Sequence, residues 1–388
     1  MKSNNKIKDR KEFSQKIHIF VFLFLIFSIT IVGLLVPVKA FSENENRYLA
    51  TKPEFTWDSL IAGKYTAHYE DYIIDQFVLR DKWISLKTLS ERLLLKQDIN
   101  SVYFGKDGYL IEKHPVDKVD TEVEERNYNR LIEFVNKYKD VLGEDKVKVM
   151  LVPTASSILK DKLPMFATGY NQDAFINRVI SELSKGDVVD VRDTLNKHNK
   201  EYIYYKTDHH WTSLGAYYAY AQWAMEIGGK SLSMEDFNKI LASDKFYGTL
   251  HSKVNVDIEA DSIYLYEIKK DMDYSLRFDG VKESNTLYDL SYLETKDKYS
   301  VFLSGNHGLV EINTNNKNGK KLLVIKDSFA HSFVPFAVNH YETTHMVDLR
   351  YFNMGIKDYI EKNEITDVLV LYNVMNYVTD KNTNKLLK

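Results

Sequence analysis

The residues Thr207 to Thr212 combine an acid, two imidazoles and an indole in six consecutive positions. A carboxylate, an imidazole and a serine hydroxyl are the three groups of a hydrolytic triad. A serine is a poor nucleophile until a base takes its proton, and histidine suits that role because its ordinary pKa lies near neutrality. The carboxylate fixes the tautomer of the imidazole and stabilises its cation. The segment therefore predicts an acid, Asp208, and a histidine base, and it requires a serine from elsewhere.

The best candidate for that serine is Ser328, which follows the apolar run Lys321–Lys326. The run predicts a buried strand that ends abruptly at Asp327 and turns into a helix. A serine there would lie beside free backbone N–H groups, which can bind a developing oxyanion. The alternative is that Asp327 or Ser328 only caps the helix. The acid and the histidine at the other site favour the nucleophile, although no Gly-x-Ser-x-Gly elbow is present and an α/β-hydrolase is therefore disfavoured.

A metal site is the rival interpretation of the first cluster. It would use Asp208, His209 and His210 together with a more distant histidine. The histidines that the sequence offers for this are His307, His331 and His340. Neighbouring residues of an extended segment point to opposite faces, so both imidazoles do not readily reach one ion. The chain contains no cysteine, which excludes thiolate ligands, disulfides and a cysteine nucleophile. We therefore expect neither a metal nor a cofactor.

Strands that alternate with helices indicate a mostly parallel sheet flanked by helices. The runs that predict strands are Val147–Thr154, Val188–Val191, Tyr202–Tyr205, Lys321–Lys326 and Asp367–Asn373. Helical patterns cover about 121–141, 172–184 and 214–227. In such sheets the chemistry gathers outside the carboxyl ends of the strands. We therefore expect Asp208 and Ser328 each to follow a strand end.

Other polar residues that follow strand-like runs are candidates for substrate or oxyanion contacts. They are Asn373 (with Asn376 close behind), Arg350 and Asn306. A capping or loop role is an equally good interpretation of each. Trp211 is a further candidate for a substrate contact, as a wall of the site, and the alternative is that it packs beside the site.

Residues 231–300 interrupt the alternation of strands and helices with strand-like runs and charge clusters. Phe246–Leu250 and Ile263–Tyr266 are the clearest of these runs. We interpret the segment as an insertion that adds strands and covers the site. Earlier in the chain, Gly105–Leu110 predicts a hairpin turn, because its Asp-Gly pair suits positive φ angles.

The N-terminal segment predicts on which side of a membrane the rest of the chain lies. Basic residues between Lys2 and Lys16 precede an apolar run, residues 17–38, that contains no charge. A spanning helix needs about 20 apolar residues, and a basic flank stays in the cytoplasm, so the rest of the chain would be extracytoplasmic. The alternative is a signal peptide cleaved near Val38–Ala40. Under either interpretation the remainder of the chain lies outside the cytoplasm.

The segment after the apolar run predicts a linker and a helical stalk. Glu43–Arg47 is a polar linker, and helices should follow Pro53. Tyr69, Tyr72, Ile73 and Phe77 recur at helical spacing, which predicts an amphipathic helix that rests on the main domain. The net charge of the whole chain, −3, gives no reason to expect nucleic acid as a partner.

Asp208-His209-His210-Trp211 resembles the signature of the DHHW proteins, which are related to the alginate O-acetyltransferases within the SGNH hydrolase-like superfamily. The resemblance continues through Glu45–Leu49 with Pro53, the Gly105–Leu110 turn and Lys326–Phe329, in the expected order. It therefore covers nearly the whole chain and is weakest across 231–300.

The resemblance implies roles for individual residues. Asp208 would be the triad acid, His210 the base and Ser328 the nucleophile, while His209 supports them. The acid and base precede the serine, a circular permutation of the ordinary order of these motifs. Lys326 stands where many relatives carry a glycine. The backbone N–H of Ser328 and the side chain of Asn373 would be oxyanion donors.

The resemblance also implies the organisation and the function. The predicted segments are a cytoplasmic basic tail (1–16), a transmembrane anchor (17–38), a linker and helical stalk (39–100) and an SGNH-like catalytic domain (101–388). The expected activity is membrane-anchored, extracytoplasmic O-acetylation of a cell-surface or secreted polysaccharide. A membrane-bound O-acyltransferase would be the partner that supplies acetyl groups. The alternatives are a carbohydrate acetylesterase with the same triad and a non-catalytic envelope scaffold or glycan-binding protein.

Overall fold

The computed structural model of the chain describes residues 2–42, 47–184 and 186–388 and contains two units, Met1–Ser90 and Glu91–Lys388. Its helices are α1 (Lys2–Leu35), α2 (Trp57–Ile61), α3 (Lys64–Asp75), α4 (Arg80–Leu93), α5 (Thr121–Leu142), α6 (Ala155–Ile158), α7 (Gln172–Glu182), α8 (Arg192–Lys197), α9 (Ser213–Glu226), α10 (Thr249–Val254), α11 (Ala330–Ala337), α12 (Ile356–Asn363) and α13 (Val374–Thr379). Its strands are β1 (Phe41–Ser42), β2 (Arg47–Tyr48), β3 (Asp98–Ile99), β4 (Val102–Phe104), β5 (Leu110–Glu112), β6 (Val147–Val152), β7 (Phe237–Phe246), β8 (Asp261–Ile268), β9 (Tyr274–Phe278), β10 (Lys282–Ser284), β11 (Leu309–Thr314), β12 (Lys321–Lys326), β13 (Thr343–Val347) and β14 (Asp367–Asn373).

Helix α1 contains a segment, Glu12–Leu35, that is 24 residues long and apolar enough to cross a membrane. At 1.5 Å per residue it measures about 36 Å, which exceeds the ~30 Å hydrocarbon core of a bilayer. The helix ends at Leu35, a little before the predicted limit of 38. Pro37 explains the early end, because a proline restricts the preceding residue, Val36, to extended conformations.

The rest of the first unit is a short hairpin, β1 with β2, and the helices α2 to α4. Residues 43–46 of the predicted polar linker lie outside the described residues. Tyr69, Ile73 and Phe77 remain 38%, 46% and 41% exposed. That this helical face rests on the main domain stays a prediction.

Seven strands of the second unit form one sheet in the order β10-β9-β11-β13-β12-β14-β6. Strands β13, β12, β14 and β6 are parallel neighbours, whereas β11, β9 and β10 continue the sheet in antiparallel pairs. The sheet is thus mixed and not mostly parallel as predicted. The short turn between β9 and β10 forces their antiparallel pairing, because a parallel connection needs a crossover of a dozen or more residues.

The parallel strands carry the core on both faces. Nearly every residue of β6, β12 and β14 is buried, which explains why they read as continuous apolar runs. Buried side chains of α9 and α11 belong to one apolar cluster. Those of α5, α7, α12 and α13 belong to another. The structure is therefore α/β, with helices packed on the sheet, as predicted.

Two predicted strands are not strands in the structure. Val188 makes only a single parallel bridge to Val149, and Tyr204 makes only a single antiparallel bridge to Trp211. The N–H of Tyr205 donates to the carbonyl of His210 at 3.2 Å, so the chain folds back on itself here. Ile203, Tyr204 and Tyr205 are buried in the core although they do not belong to a strand of the sheet. A short run of buried apolar residues has the same sequence pattern as a buried strand. Asp208 therefore lies in a loop and not directly after a strand of the sheet.

Residues 231–300 contain the four strands β7 to β10. Strands β7 and β8 form a separate antiparallel pair, whereas β9 and β10 join the central sheet. In the hairpin predicted near the start of the second unit, β4 pairs with β5. Its turn residues Asp107 and Gly108 have φ angles of 56° and 78°. That hairpin is confirmed.

Candidate active site

Ser328 lies at the carboxyl end of β12, in the turn that leads into α11. The carboxylate of Asp327 fixes this turn. One of its oxygens accepts the N–H of Phe329 at 2.9 Å. The other accepts the N–H of Asn373 at 2.9 Å and the side-chain amide of Asn376 at 2.8 Å. Asp327 therefore ties the serine turn to the end of the adjacent strand β14.

The structure brings three predicted residues together. The Ser328 hydroxyl lies 2.7 Å from Nε2 of His210. Nδ1 of the same ring lies 2.6 Å from an oxygen of Asp208, which also accepts the His210 backbone N–H at 3.0 Å. With Nδ1 donating to the carboxylate, Nε2 is the atom that accepts a proton from the serine. The arrangement can therefore move a proton from the hydroxyl to the imidazole.

Thr249 holds the second oxygen of Asp208. Its N–H donates to that oxygen at 2.8 Å and its hydroxyl at 3.0 Å. Gly248 permits this close approach, because a Cβ at that position would lie 2.2 Å from the Cβ of Asp208. All the hydrogen bonds described for the Asp208 carboxylate come from His210 and Thr249, which point it at the imidazole.

The loop that carries Asp208 and His210 is itself held by Asp261, the first residue of β8. The Asp261 carboxylate accepts the N–H of Lys206 at 2.8 Å, and the N–H and hydroxyl of Thr207 at 2.7 and 2.5 Å. It also accepts the hydroxyl of Tyr202. Burial raises the pKa of Asp261, and these donors oppose that rise. A buried acid thus replaces the strand pairing that this loop lacks.

The charges of the site favour an ionised acid and a neutral base. Burial alone would raise the pKa of Asp208, but His209, His210 and the hydrogen bonds of the carboxylate hold that pKa below its usual range. Burial and the neighbouring His209 lower the pKa of His210 to about 4, although Asp208 opposes them. His210 is therefore neutral at neutral pH and able to accept a proton.

Tyr299 supports both partners of the serine–histidine contact. Its ring stacks on that of His210, with centroids 3.8 Å apart and an angle of 10° between the planes. Its hydroxyl donates to the carbonyl of Ser328 at 3.1 Å. The phenol ring therefore limits the rotation of the imidazole and links it to the serine turn.

His209 lies on the more exposed side of the cluster. Its Nδ1 is 2.8 Å from the hydroxyl of Thr249, and its ring centroid is 3.8 Å from that of His210. Asp208, His209 and His210 bring possible ligand atoms within 4.8 Å of one another, as a metal site would require. Both Asp208 oxygens and both nitrogens of His210 are already hydrogen-bonded, so an ion would have to displace those bonds. The geometry fits proton transfer better than metal binding.

The more distant histidines have other partners. His307 contacts Asp279, His331 contacts Lys326 and His340 contacts Tyr220.

Trp211 is fully buried, and its indole N–H donates to the carbonyl of Phe329 at 2.9 Å. The prediction that its side chain forms a wall or a substrate contact is wrong for this conformation, because the ring has no exposed surface. Its packing role, the other predicted possibility, is what the structure shows. Trp211 joins the histidine loop to the serine turn.

Arg350 and Asn306 lie together near the end of β13. The guanidinium of Arg350 pairs with both oxygens of Asp348, at 2.9 and 2.6 Å, and also contacts the Asn306 oxygen at 3.2 Å. Arg350 is partly exposed, whereas Asp348 is buried. The structure therefore shows Arg350 as a brace for this strand end, and a contact with substrate stays a prediction.

Lys326, the last residue of β12, is buried beneath the same strand ends. Its ammonium lies 3.2 Å from Asp348 and 2.9 Å from Nε2 of His331. Burial lowers the pKa of Lys326 against the effect of Asp348. Burial and Lys326 together lower the pKa of His331, which is therefore neutral and accepts this hydrogen bond.

Two donors are available beside the serine. The backbone N–H of Ser328 has no acceptor within residues 47–184 and 186–388. Asn373 caps α13 through its oxygen, which accepts the N–H of Asn376 at 2.9 Å. Its amide nitrogen makes no hydrogen bond in the same part of the chain. Both groups keep the free N–H that an oxyanion donor needs. Their role as oxyanion donors stays a prediction.

Open space adjoins the site. Asn373, His209 and Leu250 help to line a small cavity of about 30 Å³. Glu112 and His114 line both this cavity and a wider groove of about 390 Å³. The small cavity and the groove therefore share part of their lining.

The fold and the site define an α/β protein with an acid–imidazole–serine arrangement at the carboxyl edge of its sheet. A family model described as DHHW protein matches residues 119–347. The chain belongs to the DHHW family, which confirms the prediction made from the signature at 208–211. No curated protein matches the chain.

Solved structures resemble this chain over most of its length. A DHHW family protein from Eubacterium siraeum superposes with a TM-score of 0.61 and 26% identity, over 74% of this chain and 95% of that chain. Bacillus cereus PatB1, solved with a sulfonyl adduct, gives a TM-score of 0.62 and 23% identity, over 75% of this chain and all of its own. The O-acetyltransferase domain of Pseudomonas putida AlgJ gives a TM-score of 0.43 and 12% identity, over 72% of this chain and 93% of that chain.

Sequence reasoning missed the residues that hold the histidine loop. These are Thr249, Asp261 and Tyr299, all within 231–300. Gly248-Thr249 was the one available signal, since a glycine beside a polar residue in a strand-like run marks a close backbone approach. Nothing in the pattern around Asp261 or Tyr299 distinguishes them from ordinary core residues.

Proposed function

We propose that this chain is a membrane-anchored, extracytoplasmic O-acetyltransferase that modifies a cell-surface or secreted polysaccharide. The observation that carries the proposal is the continuous line of hydrogen bonds from Asp208 through His210 to Ser328, with contacts of 2.6 and 2.7 Å. The free N–H of Ser328 adds the oxyanion donor that acyl transfer requires. The resemblance of DHHW proteins to alginate O-acetyltransferases supports acetyl as the group and a polysaccharide as the acceptor.

The proposed reaction has two steps. In the first, His210 takes the proton of Ser328 while Oγ attacks the carbonyl of an acetyl donor. The tetrahedral oxyanion is bound by the N–H of Ser328 and the amide of Asn373. The donor oxygen then leaves with the proton from His210, and an acetyl-serine remains. In the second step His210 deprotonates a sugar hydroxyl, which attacks the acetyl-serine, and the proton returns to Ser328.

Transfer and hydrolysis differ only in the second acceptor. Water in place of the sugar makes the same residues an acetylesterase. The groove of about 390 Å³, which shares Glu112 and His114 with the small cavity, supports a large acceptor because it offers room for sugar units. We therefore favour transfer to a polysaccharide.

The membrane and the donor complete the proposal. Helix α1 would anchor the chain with its catalytic unit outside the cytoplasm, in line with the basic residues that precede the apolar run. A membrane-bound O-acyltransferase would deliver acetyl groups across the membrane to Ser328. Within the family the catalytic fold would be SGNH-like, with the acid and base placed before the serine in the chain.

The direct test is turnover by the purified full-length chain and by Ser328→Ala. We expect the wild-type protein to release nitrophenol from p-nitrophenyl acetate and Ser328→Ala to lose that activity without a change in folding. Ser291→Ala, at an exposed serine, is the matched control and should keep full activity. A sulfonyl fluoride should add one adduct, found by peptide mass at Ser328.

Each result separates one alternative. An active Ser328→Ala variant, or no adduct at Ser328, would overturn the serine mechanism and favour a scaffold. Acetyl groups found on a polysaccharide acceptor would establish transfer, whereas free acetate alone would establish an esterase. A stoichiometric metal ion that is lost in His209→Ala would reverse the assignment of the cluster.

A further inference from the structure

The first unit exposes an unusual number of large apolar side chains. Trp57, Ile61, Ile73, Phe77, Trp83 and Leu86 are all exposed, by 41% to 83%. Single exposed apolar residues are ordinary, but a group of them marks an interaction surface. The question is which surface covers them.

The exposed residues form faces on two helices. Tyr69, Ile73 and Phe77 recur every fourth residue along α3 and just beyond its end, so they share one side. Trp83 and Leu86 lie one turn apart on α4. Asp71 is exposed on the opposite side of α3. Each helix therefore has the distribution of an amphipathic helix whose apolar side has no protein cover in this unit.

The end of α3 is fixed close to the end of α1. The side-chain oxygen of Gln76 accepts the N–H of Lys39 at 2.9 Å, and its amide donates to the carbonyl of the same residue at 2.9 Å. Lys39 lies four positions after Leu35, so this stretch spans at most about 14 Å. The end of α3 therefore lies one side-chain contact from a residue close to the end of α1.

A second contact shows more closely where the connection between α3 and α4 lies along the length of α1. A Cβ placed on Gly33 would lie 3.5 Å from a methyl group of Val78, in the connection between α3 and α4. Gly33 belongs to the apolar segment Glu12–Leu35. The α3–α4 connection thus lies beside the last turns of the segment that is apolar enough to cross a membrane. At that level the surroundings of a spanning helix are the headgroup boundary of the bilayer.

We infer that the apolar faces of α3 and α4 lie in the lipid headgroup boundary of the outer leaflet and form a second, interfacial membrane anchor. The inference rests on the proposed spanning role of α1 and extends it. Tryptophan and tyrosine are enriched at this depth, where an aromatic ring meets both lipid and water. An interfacial helix buries its apolar side about 5–10 Å deep in the headgroup boundary. That depth covers one side of a helix, which is the extent of the apolar faces of α3 and α4.

The test uses the absence of cysteine in the chain. Single cysteines are introduced at Ile73 and Leu86 on the apolar faces, at Asp71 as the polar-face control and at Phe22 within α1. Each full-length variant is labelled with the fluorophore NBD and reconstituted into phospholipid vesicles. Quenching by lipid-attached nitroxides is then compared with quenching by aqueous iodide.

We expect lipid nitroxides to quench the label at I73C and L86C several-fold more than at D71C, with iodide showing the reverse order. Equal iodide quenching at all three positions would overturn the inference, because the faces would then be in water. Protection from both quenchers would also overturn it, since a protein surface would then cover the faces. Label at F22C reports the spanning helix separately: if F22C escapes lipid quenching, the anchor proposal itself fails, whereas lipid quenching of F22C alone removes only the interfacial anchor.

Discussion

The two halves of the candidate site are built in different ways. Ser328 lies at the end of a parallel strand whose neighbours fix its position through a regular ladder, and Asp327 ties the turn to β14. Asp208 and His210 lie in a loop outside the sheet, whose ends are joined by a single antiparallel bridge between Tyr204 and Trp211. Side chains from residues 248–299 hold that loop. Strand geometry therefore positions Ser328, whereas buried side-chain hydrogen bonds position Asp208 and His210.

Because of this difference, substitutions in the two halves should affect different properties of the protein. The strand half shares its bonds with the core of the unit, so damage there should lower stability. The loop half depends on a few contacts at the acid, so damage there should lower activity with little change in stability. Substitutions on each side can break or sharpen this comparison.

The largest effect is expected from Asp208→Asn. An amide in place of the carboxylate neither fixes the His210 tautomer nor stabilises the imidazolium, and such a loss costs about 10⁴-fold in kcat. Steady-state hydrolysis of p-nitrophenyl acetate measures the effect. Thermal unfolding should change little, because the amide keeps the shape of the side chain. Asp271→Asn, at an exposed loop, is the control and should leave both quantities unchanged.

The next effect is expected in the strand half, from Asp348→Asn. The substitution leaves the buried ammonium of Lys326 without its carboxylate, and an uncompensated buried charge costs about 3–5 kcal/mol in the free energy of unfolding. Lys326→Met should cost less, since Asp348 then keeps its pair with Arg350. Urea unfolding of the detergent-solubilised protein measures both. Equal losses in the two variants would contradict the proposed asymmetry.

The same comparison explains what the sequence could predict. The strand end before Ser328 has a plain signal, because β12 is an apolar run that stops at two polar residues. The family signature indicated Asp208 and His210. The mixed sheet was not predictable from these signals, since β9 and β10 lie in a segment without regular periodicity. Tyr202–Tyr205 was wrongly predicted to be a strand, because residues buried in the core outside a strand have the same apolar sequence pattern as residues of a buried strand.

The residues that hold the loop half could not be predicted from the sequence, for another reason. Thr249 and Asp261 act on residues more than 40 positions away through hydrogen bonds that need no periodic pattern. Trp211 has a signal in the signature, but its burial and its bond to Phe329 follow only from the folded loop. Side-chain contacts between distant segments carry no mark in a single sequence.

A smaller effect is expected from Gly248→Ala. The new methyl would lie 2.2 Å from the Cβ of Asp208, so the loop or the Gly248 backbone must shift. A displacement of about 1 Å at a catalytic group costs about 10²-fold in activity. Thr249→Ser keeps both hydrogen bonds to Asp208 and is the matched control with near wild-type turnover. Full activity of Gly248→Ala would show that the loop tolerates movement and would weaken the contrast between the two halves.

The smallest effect, and the finest test of the loop half, is a shift in pH dependence caused by His209→Gln. His209 is one of the neighbours that lower the pKa of His210, after burial. In the proposed mechanism activity requires neutral His210, so it is lost as the pH falls through that pKa, which lies near 4 and below the ordinary value of 6.5. Without the adjacent imidazole the pKa rises and the acid limb of kcat/KM should move to higher pH, while the plateau changes little. Glutamine can still bond to Thr249, so the loop should keep its shape. A plateau that falls strongly with an unmoved acid limb would instead assign His209 a direct part in binding or in proton transfer.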